Sequence, residues 1–242
     1  MFSSAANSRL RAWLPPALVL WAAVGLSRPM EIRLLPGPAR PAVGLAAGGG
    51  NLALLGGMRS VLAGGCWLRA NLAWERRDAA ATMALVHLTV AADERPLTFW
   101  LNGARMLAFD LAEWRTPRDA PAAVRRRIAV EQAAVALAFL ERGLEVRGAD
   151  AAIYVEMANL HLRALGDREK AAEMFRLAAQ QPGAPCYAAR IHAELLRELG
   201  RPAEALAWLR QVLPSLPEDD PAAQRNVVLA RIKGLEQDVA RK

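Results

Sequence analysis

A fixed offset of 34 residues governs the second half of this chain. Gly166-Asp167 precede Gly200-Arg201 by that distance (200 − 166), Ala171 precedes Ala205, and Phe175 precedes Leu209. Self-similarity at such a period marks an array of helix pairs, each unable to bury its own apolar face and each completed by its neighbour. Local chemistry agrees from about Asp150 to Pro217. Ala158, Leu162 and Leu165 recur at helical spacing, and Gly166-Asp167 then interrupts the helix. Gly closes a helix at positive φ and the Asp beside it caps the next one. That second helix carries Ala171, Phe175 and Ala178 and stops at Pro182-Gly183. The scheme repeats with Leu196, Leu199, Gly200, Ala205, Leu209, Val212 and Pro214 to Pro217.

At these residues the chain resembles the tetratricopeptide repeat (TPR) family. The family's small, large and small positions fall on Ala171, Phe175 and Ala178, then on Ala205, Leu209 and Val212, with the closing proline at Pro217. The aromatic that opens the family's first helix is replaced by Val155 and Ala189, and His192-Ala193 stand where Leu-Gly is usual. The resemblance implies stacked helix-turn-helix units, an all-α, TPR-like α-solenoid of antiparallel helix pairs, with a concave surface that binds protein or peptide. It does not name the partner.

Composition supports the helical reading. Apolar residues make up 54% of the chain but aromatics only 6%, and Ala and Leu dominate over β-branched types. The net charge of +7 is unevenly placed. Residues 1–60 hold Arg9, Arg11, Arg28, Arg33, Arg40 and Arg59 against Glu31 (6 − 1 = +5), and the remaining 25 basic and 23 acidic residues balance to +2. The basic excess therefore flanks an apolar segment and does not form a nucleic-acid face. Cys66 and Cys186 form no CxxC unit and read as small packed residues.

The amino-terminal segment accounts for that excess. Ala12 to Leu26 is uncharged and apolar. Fifteen residues at 1.5 Å rise reach roughly 22 Å, short of a ~30 Å hydrocarbon core, with Trp13 and Trp21 suited to the interface. A signal anchor and a cleaved signal peptide both fit. The anchor is preferred, because the nearest small-residue cleavage site, Gly25-Leu26-Ser27, runs straight into Arg28-Pro29. The expectation is an inner-membrane tether with the rest of the chain on the periplasmic side. The domains expected are an anchor or transmembrane segment at 1–27, a Pro/Gly-rich tether at 28–58, and a helical repeat domain at 59–242. Within the last, diverged repeats occupy 59–149, the clearest repeats 152–217, and a capping helix 221–241.

Before the clear repeats, the spacing predicts helices at 59–75, 79–91, 97–111 and 122–145. Trp67, Trp74, Trp100, Ala104, Ala108 and Trp114 give residues 50–215 a further resemblance to membrane-tethered bacterial repeat proteins, which adds architecture and no activity. The tryptophans read mainly as core. Arg125-Arg126-Arg127, with Arg115 and Arg118, is the basic patch of the folded part. It reads as a solvated helix start, or more sharply as a site for anionic headgroups or an acidic partner.

Converging chemical groups are missing from the pattern. His87, His161 and His192 make no i, i+3 or i+4 pair, and there is no G-x-S-x-G, no phosphate-binding Gly loop followed by Lys, and no HExxH. The chain is therefore expected not to be an enzyme and to carry no metal or cofactor. Two readings remain. One is a membrane-tethered scaffold binding a protein or peptide in its groove, with Asn71, Asn102, Arg105, Asn159, Arg163, Arg190 and Arg197 facing the partner. The other is a structural subunit of a bacterial envelope or secretion assembly, packed through its tryptophans.

Overall fold

A computed structural model describes residues 58–218 and 220–240. The chain divides into two compact units, Met1–Leu62 and Ala63–Lys242. Of the first, only the residues that open helix α1 are described, so the expectations for the anchor and for most of the tether lie outside the described residues. Among the described residues every regular element is helical. None of these helices is long and apolar enough to cross a membrane.

The helices are α1 (Arg59–Glu75), α2 (Ala79–Ala92), α3 (Leu97–Arg105), α4 (Leu111–Arg115), α5 (Ala122–Arg147), α6 (Ala151–Leu160), α7 (Arg168–Ala179), α8 (Cys186–Glu198), α9 (Pro202–Val212) and α10 (Arg225–Ala240). A π turn at Met106–Asp110 joins α3 to α4, and a second at His161–Leu165 extends α6. The helix expected to end at residue 111 thus continues to Arg115. Buried Gln132, with its amide oriented to suit its neighbours, donates to Leu107 O inside that π turn at 3.1 Å and accepts from Arg115. The last helix, expected to begin at Pro221, starts instead as a 3₁₀ turn (Pro221–Ala223) before α10.

Caps explain the starts. Asp78, Asp150 and Asp167 each accept a backbone N–H from the first turn of the next helix: Ala81 N at 3.0 Å, Ala152 N at 2.9 Å and Lys170 N at 3.0 Å. Pro202 supplies the first residue of α9, where no N–H is needed.

The stops share a turn that the sequence marks at Gly166 and Gly200 and hides at Arg77. After α8, Arg201 N donates to Leu196 O, five residues back, with Gly200 at φ +77°. After α1, Asp78 N donates to Ala73 O, also five back, with Arg77 at φ +54°. After α6, Asp167 N donates to His161 O, six back, because the π turn adds a residue; Gly166 sits at φ +69°. The same turn thus closes α1, α6 and α8. At α1 an arginine occupies the left-handed position. Such a residue costs about 1–2 kcal/mol there, against the ~0.5–1 kcal/mol entropic penalty of glycine. Arg77→Gly should therefore raise the melting temperature by about 2 °C. An unchanged or lower melting temperature in a calorimetric scan would mean the Arg77 side chain offsets its own strain.

The apolar core is strung along the chain in three clusters. The first holds Ala70, Val86, Trp100, Leu107, Leu111, Phe139, Leu140 and Ile153. The second holds Val155, Ala158, Ala171, Phe175, Ala178, Ala188 and Leu195. The third holds Ala193, Leu196, Ala205, Leu209, Val228, Ile232 and Leu235. Helix α6 contributes to the first and second, and α8 to the second and third. Neighbours in sequence are thus neighbours in space: α6 packs on α7, α7 on α8, α8 on α9 and α9 on α10.

Candidate functional site

Side-chain contacts also join helices that do not follow one another in the chain. Trp67 on α1 meets Phe99 on α3 at 5.3 Å between ring centroids, and Trp74 Nε1 donates to Asp110 at 2.8 Å. Between α3 and α6, Arg105 grips Glu156 through Nε (3.1 Å to each oxygen) and Nη2 (2.7 Å). The Glu156 side chain is 4% exposed, whereas that of Arg105 is 55% exposed. Between α8 and α10, Arg231 pairs with Glu194 at 3.4 Å, and Arg190 Nη1 donates to Ala222 O and Ala223 O.

Three recesses border these helices. The first, about 550 Å³, is walled by Leu97, Leu101, Arg105, Val155, Glu156, Pro182, Pro185 and Tyr187. The second, about 630 Å³, is walled by Leu162, Arg168, Tyr187, Arg190, Ile191, Glu194, Glu198 and Arg231. Tyr187 belongs to both. A smaller one of about 190 Å³ shares Glu194 and Arg231 with the second and adds Arg197 and Asp238. Apolar Leu97, Leu101 and Val155 wall the first recess, and charged side chains of α8 and α10 wall the other two.

Of the residues expected on this face, Arg105, Arg190 and Arg197 line the recesses. Asn71, Asn102, Asn159 and Arg163 line none of the three. The Asn71 side chain donates to Trp67 O at 2.8 Å, one turn back on its own helix. Asn102 is exposed on α3, and Asn159 is half-buried on α6. Arg163 is exposed, and it stands 34 before Arg197 (197 − 163), so equivalent placement was expected. Arg163 lies inside the π turn His161–Leu165, whereas Arg197 lies in the last regular turn of α8. Glu156, Tyr187, Glu194 and Arg231 were not anticipated. The period offered a signal for one of them, because Glu156 stands 34 before Arg190 (190 − 156).

The basic patch is partly structural. Arg126 Nη2 donates to Leu165 O at the end of α6, and Arg127 pairs with Glu131 at 3.5 Å. Cys66 and Cys186 are both free thiols. Among the described residues no group of three or more His, Cys, Asp or Glu side chains is placed to hold a metal ion.

Two buried histidines line none of these three recesses. His192 donates from Nδ1 to Ala172 O at 2.7 Å and meets the Trp208 ring edge-on at 4.7 Å. The buried Nδ1 of His161 has no partner. Burial pushes both imidazoles below the ordinary value of 6.5. The His87 imidazole is lowered by burial as well, so the unfolded chain binds protons near that value that the folded chain resists, and stability is present above about pH 6.5 and is lost as pH falls. Thermal unfolding near pH 5.5 should occur below that near pH 7.5, and His192→Gln should remove part of the slope. A melting temperature that is flat or rises on acidification contradicts this.

No protein-family model matches the chain, and no curated protein matches it.

Proposed function

We propose that this protein is a membrane-tethered scaffold whose helix pairs stack as a TPR-like α-solenoid and bind a protein or peptide in the groove of their first helices, without catalysis. The observation that carries the reading is the pair of recesses joined at Tyr187 and walled by α3, α6, α8 and α10. The recurrent closing turn and the chain-ordered core support the solenoid, since repeat arrays take their stability from nearest-neighbour contacts. The uncharged run at 12–26 supports a tether in a bacterial inner membrane, with the repeats on the periplasmic side. Crosslinking pull-down from membranes tests it, comparing the full chain with one lacking residues 1–40. One dominant partner caught by both is the expected result. A set of partners that vanishes with the deletion means the membrane address selects them, and the groove reading fails.

A second reading, a structural subunit of an envelope or secretion assembly, is favoured by the exposed apolar side of α1. There Leu68 is 68% and Leu72 50% exposed. Full-length protein that stays monodisperse in detergent favours the scaffold; one that aggregates until co-expressed with a neighbouring protein favours the subunit.

A further inference from the structure

We infer that the second recess takes an extended acidic peptide segment in which carboxylate side chains alternate with apolar ones; this rests on the scaffold reading above. Three arginines meet in this recess, and each spends a single nitrogen on the fold. Arg190 uses Nη1 on Ala222 O (3.2 Å) and Ala223 O (2.9 Å). Arg231 uses Nη1 on Arg190 O and on Glu194, both at 3.4 Å. Arg168 uses Nε on Glu198 at 3.1 Å. Among the described residues the Nε–Nη2 edges of Arg190 and Arg231 and the Nη1–Nη2 edge of Arg168 have no partner. A two-nitrogen edge is the fork that receives a carboxylate with two parallel hydrogen bonds.

The two acidic groups in the wall do not compete for those edges. Glu198 is spent on Arg168, and Glu194 is divided between Arg197 (2.5 Å) and Arg231. Three guanidinium groups against two carboxylates leave the wall positive, and the open forks make it complementary to added carboxylates. The floor between them is apolar, with Ile191 and the half-exposed ring of Tyr187. An extended segment places alternate side chains on opposite sides, so it can offer carboxylates to the forks and apolar groups to the floor. The forks stand inside a recess of about 630 Å³, which a flat anionic bilayer does not enter.

The test uses fluorescence anisotropy on the full chain, with a short labelled peptide alternating glutamate and leucine and its glutamine–leucine counterpart. The glutamate peptide should bind saturably and the glutamine peptide about tenfold more weakly. Arg168→Gln with Arg231→Gln should weaken the glutamate peptide about tenfold with the melting temperature kept, while Arg142→Gln on α5 leaves it unchanged. Equal binding of the two peptides, absence of saturable binding, or full binding by the double variant overturns the inference. So does co-sedimentation with phosphatidylglycerol vesicles that the double variant abolishes, which assigns the forks to lipid. These outcomes leave the scaffold reading standing; loss of all crosslinked partners on deleting residues 1–40 overturns the scaffold reading and the inference together.

Discussion

Replacing Trp100 with alanine should destabilise the helical unit by about 3–5 kcal/mol, the largest loss expected from a single apolar substitution here. Trp100 is 2% exposed and sits where α3, α5 and the loop after α2 converge. Its ring lies 4.8 Å from that of Phe139. Its Nε1 donates to Glu94 O at 2.9 Å, so truncation also strands a carbonyl. The ring fits because residue 143 is glycine: a Cβ there would lie 3.1 Å from the indole. Gly103 performs the same service for Phe139 and Val86, where an added Cβ would meet Val86 Cγ1 at 2.7 Å. With both approaches this tight the site cannot collapse, which places the cost toward the upper end. Equilibrium urea unfolding measures it, with Trp74→Ala as the contrast. Trp74 is 38% exposed and loses mainly its bond to Asp110, so about 1 kcal/mol is expected. Similar losses at the two sites would mean that Trp100 is not the keystone of the first cluster.

The second large effect is an asymmetry across the Arg105–Glu156 pair. Arg105→Leu leaves a carboxylate buried at 4% exposure with no counter-charge, and about 3 kcal/mol should be lost. Glu156→Leu releases an arginine that is already 55% exposed and returns to water, at a cost of about 1 kcal/mol or less. The double variant, apolar at both positions, should lie near the parent, because a buried ion pair replaced by packed apolar groups is often neutral. A double-mutant cycle read by urea unfolding gives the coupling directly. If the two single variants cost the same, burial of Glu156 is not what governs the pair. The same variants bear on the first recess, since Arg105 and Glu156 form part of its wall.

Much of the helical order was legible in the sequence, for a local reason. Helix starts depend on caps, and Asp167 beside Gly166 was read as one, whereas the caps at Asp78 and Asp150 came from the structure. Helix faces depend on spacing, and Ala171, Phe175 and Ala178 are buried where the period placed them. The recurrence at α1 was not legible, because Arg77 holds a conformation that sequence reading assigns to glycine. The two π turns were not legible either, because an added residue in a helix leaves no mark in composition.

The candidate site divides along the same line. Spacing determined by itself that Arg190 and Arg197, seven residues apart, share a face of α8, since that follows from the pitch of a helix. Only the tertiary structure decided which side chains meet across helices. Glu156 becomes the buried partner of Arg105, and Tyr187 joins two recesses. Arg163 falls within a π turn and lines none of the three recesses. Those outcomes depend on the distance and rotation between packed helices, which packing of the whole core sets and no local stretch of sequence encodes.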